Sequence, residues 1–88
     1  MLTKEQKDTI IEKFRTHKGD TGSSEIQIAL LSGEVAGLTE HLQTHKKDHS
    51  SRRGLLRMIG KRRSLLRYLK KDDPKSYEQL SKKLKISV

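Results

Sequence analysis

Apolar residues recur along this chain at intervals of three and four, and no segment reads as a strand. Ile10, Ile11 and Phe14 make a short stripe at helical spacing. Thr3-Lys4-Glu5-Gln6 ahead of it fits a capping box, so the spacing predicts a first helix from about Lys4 to Arg15. A helix that brief gains little stability without tertiary contacts, and it is expected to be the most mobile element. Lys18 to Ser24 carries two glycines and four small polar residues and reads as a loop. Ser24, with Gln27 three residues later, reads as a capping box that opens a second helix. Its apolar positions are Ile28, Leu31, Val35, Leu38 and Leu42, a narrow seam of coiled-coil type. Gly33 and Gly37 fall on the opposite side, each costing up to about 1 kcal/mol against alanine. They permit close backbone approach or mark drift at tolerant positions; drift is the expected reading.

The second helix runs out near His45, and residues 46–51 turn the chain, with Asp48, Ser50 or Ser51 able to cap the next helix. A third helix places Leu55, Leu56, Ile59, Leu66 and Leu69 inward and Arg53, Arg57, Lys61, Arg63 and Arg67 outward. Asp73-Pro74 ends it and starts a fourth, with aspartate as cap and proline at the first helical position. Tyr77, Leu80 and Leu84 mark the fourth helix's inner face. The expected fold is all-α with four helices. The second and third form a long antiparallel hairpin, the fourth packs back on it, and the first is short and mobile.

Composition narrows what such a fold could do. Eighty-eight residues, 31% hydrophobic, make one domain (1–88) with a modest core. Cysteine is absent, which removes a disulfide framework, a thiol nucleophile and a cysteine-based zinc site. No apolar run reaches the length of a signal peptide or membrane span, so the cytosol is the default compartment. The charge is localised: from Lys46 to Lys71 there are eleven Lys/Arg against the single acid Asp48, while the whole chain is only +9. A local positive field on a small helical protein is the footprint of a polyanion site.

The stretch from His41 to Met58 concentrates the candidate chemistry. Lys46, Lys47, Arg52, Arg53, Arg57, Lys61, Arg63 and Arg67 can pair with phosphates, which supplies affinity and position rather than base reading. The alternative is a solvated charged face, and the scarcity of compensating acids argues against it; Arg62 and Lys70 read equally well as solvated. Asp48 stands alone among cations, where it could accept from a guanine amino group or simply cap the third helix. Thr21-Gly22 reads as ordinary turn chemistry or as a bare backbone for a sugar to approach. Tyr68 lies among leucines, at the edge of a core or on a binding face. His41 and His45 share a helical face as a zinc pair would, but surrounding cations oppose a divalent ion, and neither a metal nor a cofactor is expected. His17 is given no role. A membrane-coating helix would strip its leucines from the core. A DNA-binding architectural protein would be expected to show a helix-turn-helix spacing or apolar wedges. No arrangement of nucleophile and base, and no phosphate-cradling loop, suggests an enzyme.

At DTGSSEIQIALL (20–31) and HKKDHSSRRGLLRMIGKRR (45–63) the chain closely resembles the family of the bacterial fifteenth small-subunit ribosomal protein, and the likeness extends from Phe14 to Leu84. The resemblance implies a primary binder of small-subunit ribosomal RNA, a monomer when free, that clamps a three-way junction in the central domain. It implies one reading cluster at the junction, at Thr21, Gly22, Gln27 and Tyr68. A second would read a G·U/G·C element in the minor groove through His41, Asp48 and Ser51. It further implies later assembly of the sixth and eighteenth small-subunit proteins on this platform and a contact with large-subunit RNA at an inter-subunit bridge. Ser50 stands where the family usually has histidine, and the tail KLKISV lacks the family's glycine and terminal arginines.

Overall fold

The computed structural model describes residues 2–14 and 23–86. Among these, four helices and no strand occur: α1 (Lys4–Phe14), α2 (Ser24–Thr44), α3 (His49–Asp72) and α4 (Pro74–Leu84). Helices α2 and α3 run as a hairpin, α1 lies along α2, and α4 returns along α3 while also touching α2. The expected end of the first helix, Arg15, lies outside the described residues.

The start of α1 is the expected reciprocal box. The Gln6 N–H donates to Thr3 Oγ1 at 3.1 Å, and the Thr3 N–H donates to Gln6 Oε1 at 2.9 Å. Helix α2 differs from expectation by one residue: Ser23, not Ser24, is the cap, its Oγ accepting from the Ile26 N–H at 3.3 Å. Two adjacent serines are equally able to cap, so the spacing to Gln27 could not single one out. The register adopted makes Ser24 the first helical residue and Ile26 and Ile28 wholly buried.

These two isoleucines, two residues apart, point to opposite flanks of α2. Ile28 joins Leu66, Leu69 and Leu80 in the core, with Phe14, Leu65, Tyr77, Leu84 and Ile86 packed around them. Ile26 and Ala29 are buried on the other side. The expected narrow seam is therefore not what forms. Helix α2 is sandwiched, and Leu31, Val35, Leu38 and Leu42 are only half-buried. Nor is Gly33 a position of tolerant drift. A Cβ there would stand 3.1 Å from Ile10 Cδ1 and 3.2 Å from Leu2 Cδ1, so this glycine admits α1 against the α2 backbone.

The core occupies one end of the hairpin. Each fully buried leucine or isoleucine there contributes roughly 1.5–3 kcal/mol. Towards the turn the apolar residues lose their cover. Leu56, expected inward, is 65% exposed. The reason is reach: α4 has eleven residues against twenty-four in α3, so it covers less than half of it. Helix α4 closes at Lys85, in the left-handed region at φ 56°, with the Ile86 N–H donating to the Ser81 carbonyl at 3.2 Å. Ile86 is thereby turned onto the core.

Candidate nucleic-acid interface

The turn between α2 and α3 is organised by one carboxylate. Asp48 caps α3: its Oδ1 accepts from the Ser51 N–H at 3.0 Å, and its Oδ2 accepts from the Ser51 hydroxyl at 2.6 Å. Because helix α2 ends beside this turn, His41 Nε2 also reaches Asp48 Oδ2, at 3.1 Å. His41, Asp48 and Ser51 thus form one continuous network, and Asp48 is both cap and tertiary link. The Ser51 hydroxyl, then the Ser51 N–H, then His41 hold the Asp48 carboxyl well below the usual carboxylate range. It is ionised at neutral pH, so His41 must present its proton at Nε2.

The hydrogen-bonding capacity this network leaves open is chemically narrow. Ser51 spends its proton on Asp48, so its oxygen can serve a further partner only as an acceptor. Asp48 Oδ1 keeps a second lone pair, and Nδ1 of a neutral His41 is an acceptor. In a minor groove the guanine amino group is the base-edge donor, and every ribose adds a 2′-hydroxyl. A fixed set of acceptors therefore suits a guanine-bearing RNA minor groove.

His45 stacks on His41, with ring centroids 4.3 Å apart and planes 9° from parallel. Among the described residues no group of three or more His, Asp or Glu side chains is placed to hold a metal ion. The i, i+4 spacing lays one ring on the other beside the bond from His41 to Asp48. Arg52, read as a phosphate contact, also donates to the Lys46 carbonyl and braces the turn. Lys46 and Lys47 form the exposed turn itself.

Beyond the turn, Arg53, Arg57, Lys61, Arg63 and Arg67 are all exposed along α3, and none pairs with a carboxylate among the described residues. Arg62 departs from a purely solvated reading: it is half-buried, and its Nη1 lies 3.4 Å from Ser32 Oγ across the hairpin. Lys70 Nζ sits 5.5 Å from the Tyr77 ring centroid. Tyr68 is 59% exposed, so it is not a core residue. With Arg57 and Lys61 it falls within about 40° on α3 at 100° per residue.

Gln27 is in the first turn of α2, fourteen residues from His41. That separation is about 21 Å along the axis and within about 40° around it, so both lie on one face. The structure thus unites His41, Asp48 and Ser51 at the turn, and leaves Gln27 and Tyr68 towards the opposite end. Thr21 and Gly22 lie outside the described residues.

The sequence model of the family described as Ribosomal protein S15 matches residues 7–87. The chain is 56% identical over 85 residues to the small ribosomal subunit protein uS15 of Staphylococcus carnosus strain TM300, covering 97% of this chain and 96% of that one. It is 61% identical over 80 residues to that of Desulfotalea psychrophila strain LSv54, covering 91% and 90%. It is 59% identical over 83 residues to that of Bacillus thuringiensis strain Al Hakam, covering 94% and 93%. Fold, charge and sequence agree, and the chain belongs to the ribosomal protein S15 family.

Proposed function

We propose that this protein is a structural component of the small ribosomal subunit in the cytoplasm, where it binds ribosomal RNA and clamps a three-way junction of the central domain. The observation that carries the reading is the His41–Asp48–Ser51 network, a preset group of acceptors at the head of a helix along which Arg53, Arg57, Lys61, Arg63 and Arg67 are exposed with no carboxylate partner among the described residues. In this reading the network takes the guanine-bearing minor groove of one RNA helix, and Thr21, Gly22, Gln27 and Tyr68 take the junction. The separation of about 21 Å between Gln27 and His41 supports two contact points joined by a rigid hairpin. Lys46, Lys47, Arg52, Arg53, Arg57, Lys61, Arg63 and Arg67 hold phosphates. The work is architectural and uses neither metal nor cofactor. A monomer when free, the protein fixes one arrangement of RNA helices, on which neighbouring small-subunit proteins assemble and beside which large-subunit RNA makes a bridge.

Binding isotherms to a minimal three-way RNA junction and to a plain duplex, at several salt concentrations, test this. Wild type should prefer the junction. His41→Ala combined with Asp48→Asn should lose that preference and keep nearly the same salt slope, because the phosphate contacts remain. Asparagine retains a cap for α3, so loss of folding would not mimic the effect. Equal binding of junction and duplex by wild type would overturn the reading.

A further inference from the structure

Two glycines in helix interiors make a useful pair. Gly33 is accounted for by α1, whose Ile10 and the preceding Leu2 occupy the space a side chain would need. Gly54 is different. It is the sixth residue of α3, and a Cβ built there meets nothing within 4 Å. A glycine in a helix interior is unfavourable relative to alanine, through backbone entropy and lost helix propensity. Packing within the protein therefore gives no reason for the missing side chain.

Its surroundings supply one. Gly54 follows Ser51 by three residues and precedes Arg57 by three, so the three are surface neighbours on α3, with Arg53 adjacent. Ser51 is the open acceptor of the network at the turn, and Arg53 and Arg57 are exposed, without a carboxylate partner among the described residues. In the wide, shallow minor groove of an RNA helix the ribose edge lies open to a protein, with phosphates at the rims. We propose that Gly54 is an unassigned part of the RNA site: its bare backbone seats a ribose of the strand read by His41, Asp48 and Ser51, while Arg53 and Arg57 hold the flanking phosphates. The ligand class is the ribose edge of an RNA minor groove, where a methyl group would hold the sugar off and pull the acceptors out of reach. This inference rests on the proposed function and adds a residue to its site.

Gly60 provides the internal control. It is also on α3, also open around its Cβ position and also among cations, but six residues further from the network. The experiment measures thermal unfolding and junction-RNA binding for wild type, Gly54→Ala and Gly60→Ala. Both substitutions should raise Tm, since alanine is the better helix former. Gly54→Ala should weaken junction binding about tenfold or more, at the low end of what an intruding methyl costs in a packed contact, with the salt slope unchanged. Gly60→Ala should bind like wild type. If Gly54→Ala is stabilised and binds as tightly as a wild type that still prefers the junction, the inference alone is overturned. Equal weakening by both substitutions also overturns it, because the effect would then belong to the helix and not to this position. A wild type with no preference for the junction would overturn the proposed function, and the inference with it.

Discussion

Two helices of this protein begin on the same four-residue device. Asp48 caps α3 through the N–H and hydroxyl of Ser51, at 3.0 and 2.6 Å. Asp73 caps α4 through the same groups of Ser76, at 3.3 and 2.9 Å. Both carboxyls are held below their ordinary value of 3.8, in each case first by the serine hydroxyl and then by its N–H. The difference is a third partner. Asp48 also takes His41 from the preceding helix, and that bond turns a local cap into a tie between the helices. At Asp73 the joint needs no such tie, because Leu66, Leu69 and Leu80 bury the contact of α3 with α4 beside it. One end of the hairpin is held by an apolar core and the other by a polar network.

The comparison can be broken most severely at the core. Leu66→Ala should cost about 2–5 kcal/mol, seen in denaturant or thermal unfolding, because it opens a cavity where α2, α3 and α4 meet. Leu56→Ala, ten residues nearer the turn, should change stability by no more than about 0.5 kcal/mol. Similar losses from both would show that the core reaches the turn after all. Asp48→Ala and Asp73→Ala come next. Both should lower Tm through lost caps, Asp48→Ala further because the tie to α2 goes too, and only Asp48→Ala should abolish preference for junction RNA.

Acid titration sharpens the same contrast. Each aspartate's folded-state pKa lies below its unfolded one, so its stabilising contribution is complete above about pH 4 and fades as pH falls towards the folded value. Wild-type stability should therefore drop on acidification below about pH 4. Asp48→Asn should flatten that dependence more than Asp73→Asn does, since the Asp48 shift has the additional cause in His41. Equal flattening would mean that the His41 contact is negligible in solution. The smallest effect is expected at the close of α4. Lys85→Gly relieves a left-handed backbone and should gain roughly 0.5–1 kcal/mol in unfolding experiments, leaving RNA binding unchanged.

Much of this architecture is legible in the sequence. Periodicity places the four helices, Thr3 with Gln6 marks the first start, and Asp73-Pro74 marks the last. Asp48 is readable as a cap or as an RNA-reading acid, two roles that could compete for the same oxygens. The geometry shows the cap and adds a tie to helix α2: one oxygen serves the Ser51 N–H, and the other serves the Ser51 hydroxyl and His41. Spacing puts the histidines at 41 and 45 on one face, where zinc is the tempting reading, and only the ring geometry shows that they stack.

The sequence by itself determined the helices and their charge, because caps and hydrophobic spacing act within a few residues and need no distant partner. It could not determine which flank of a helix would be covered. Gly33 depends on α1 arriving against α2, and the exposure of Leu56 depends on where α4 stops. The tie from His41 to Asp48 belongs to the same class: it forms because the short turn at 45–48 sets the end of one helix against the beginning of the next. Burial and cross-helix bonds depend on elements far apart in the chain coming to lie side by side, and that is settled only when the hairpin packs.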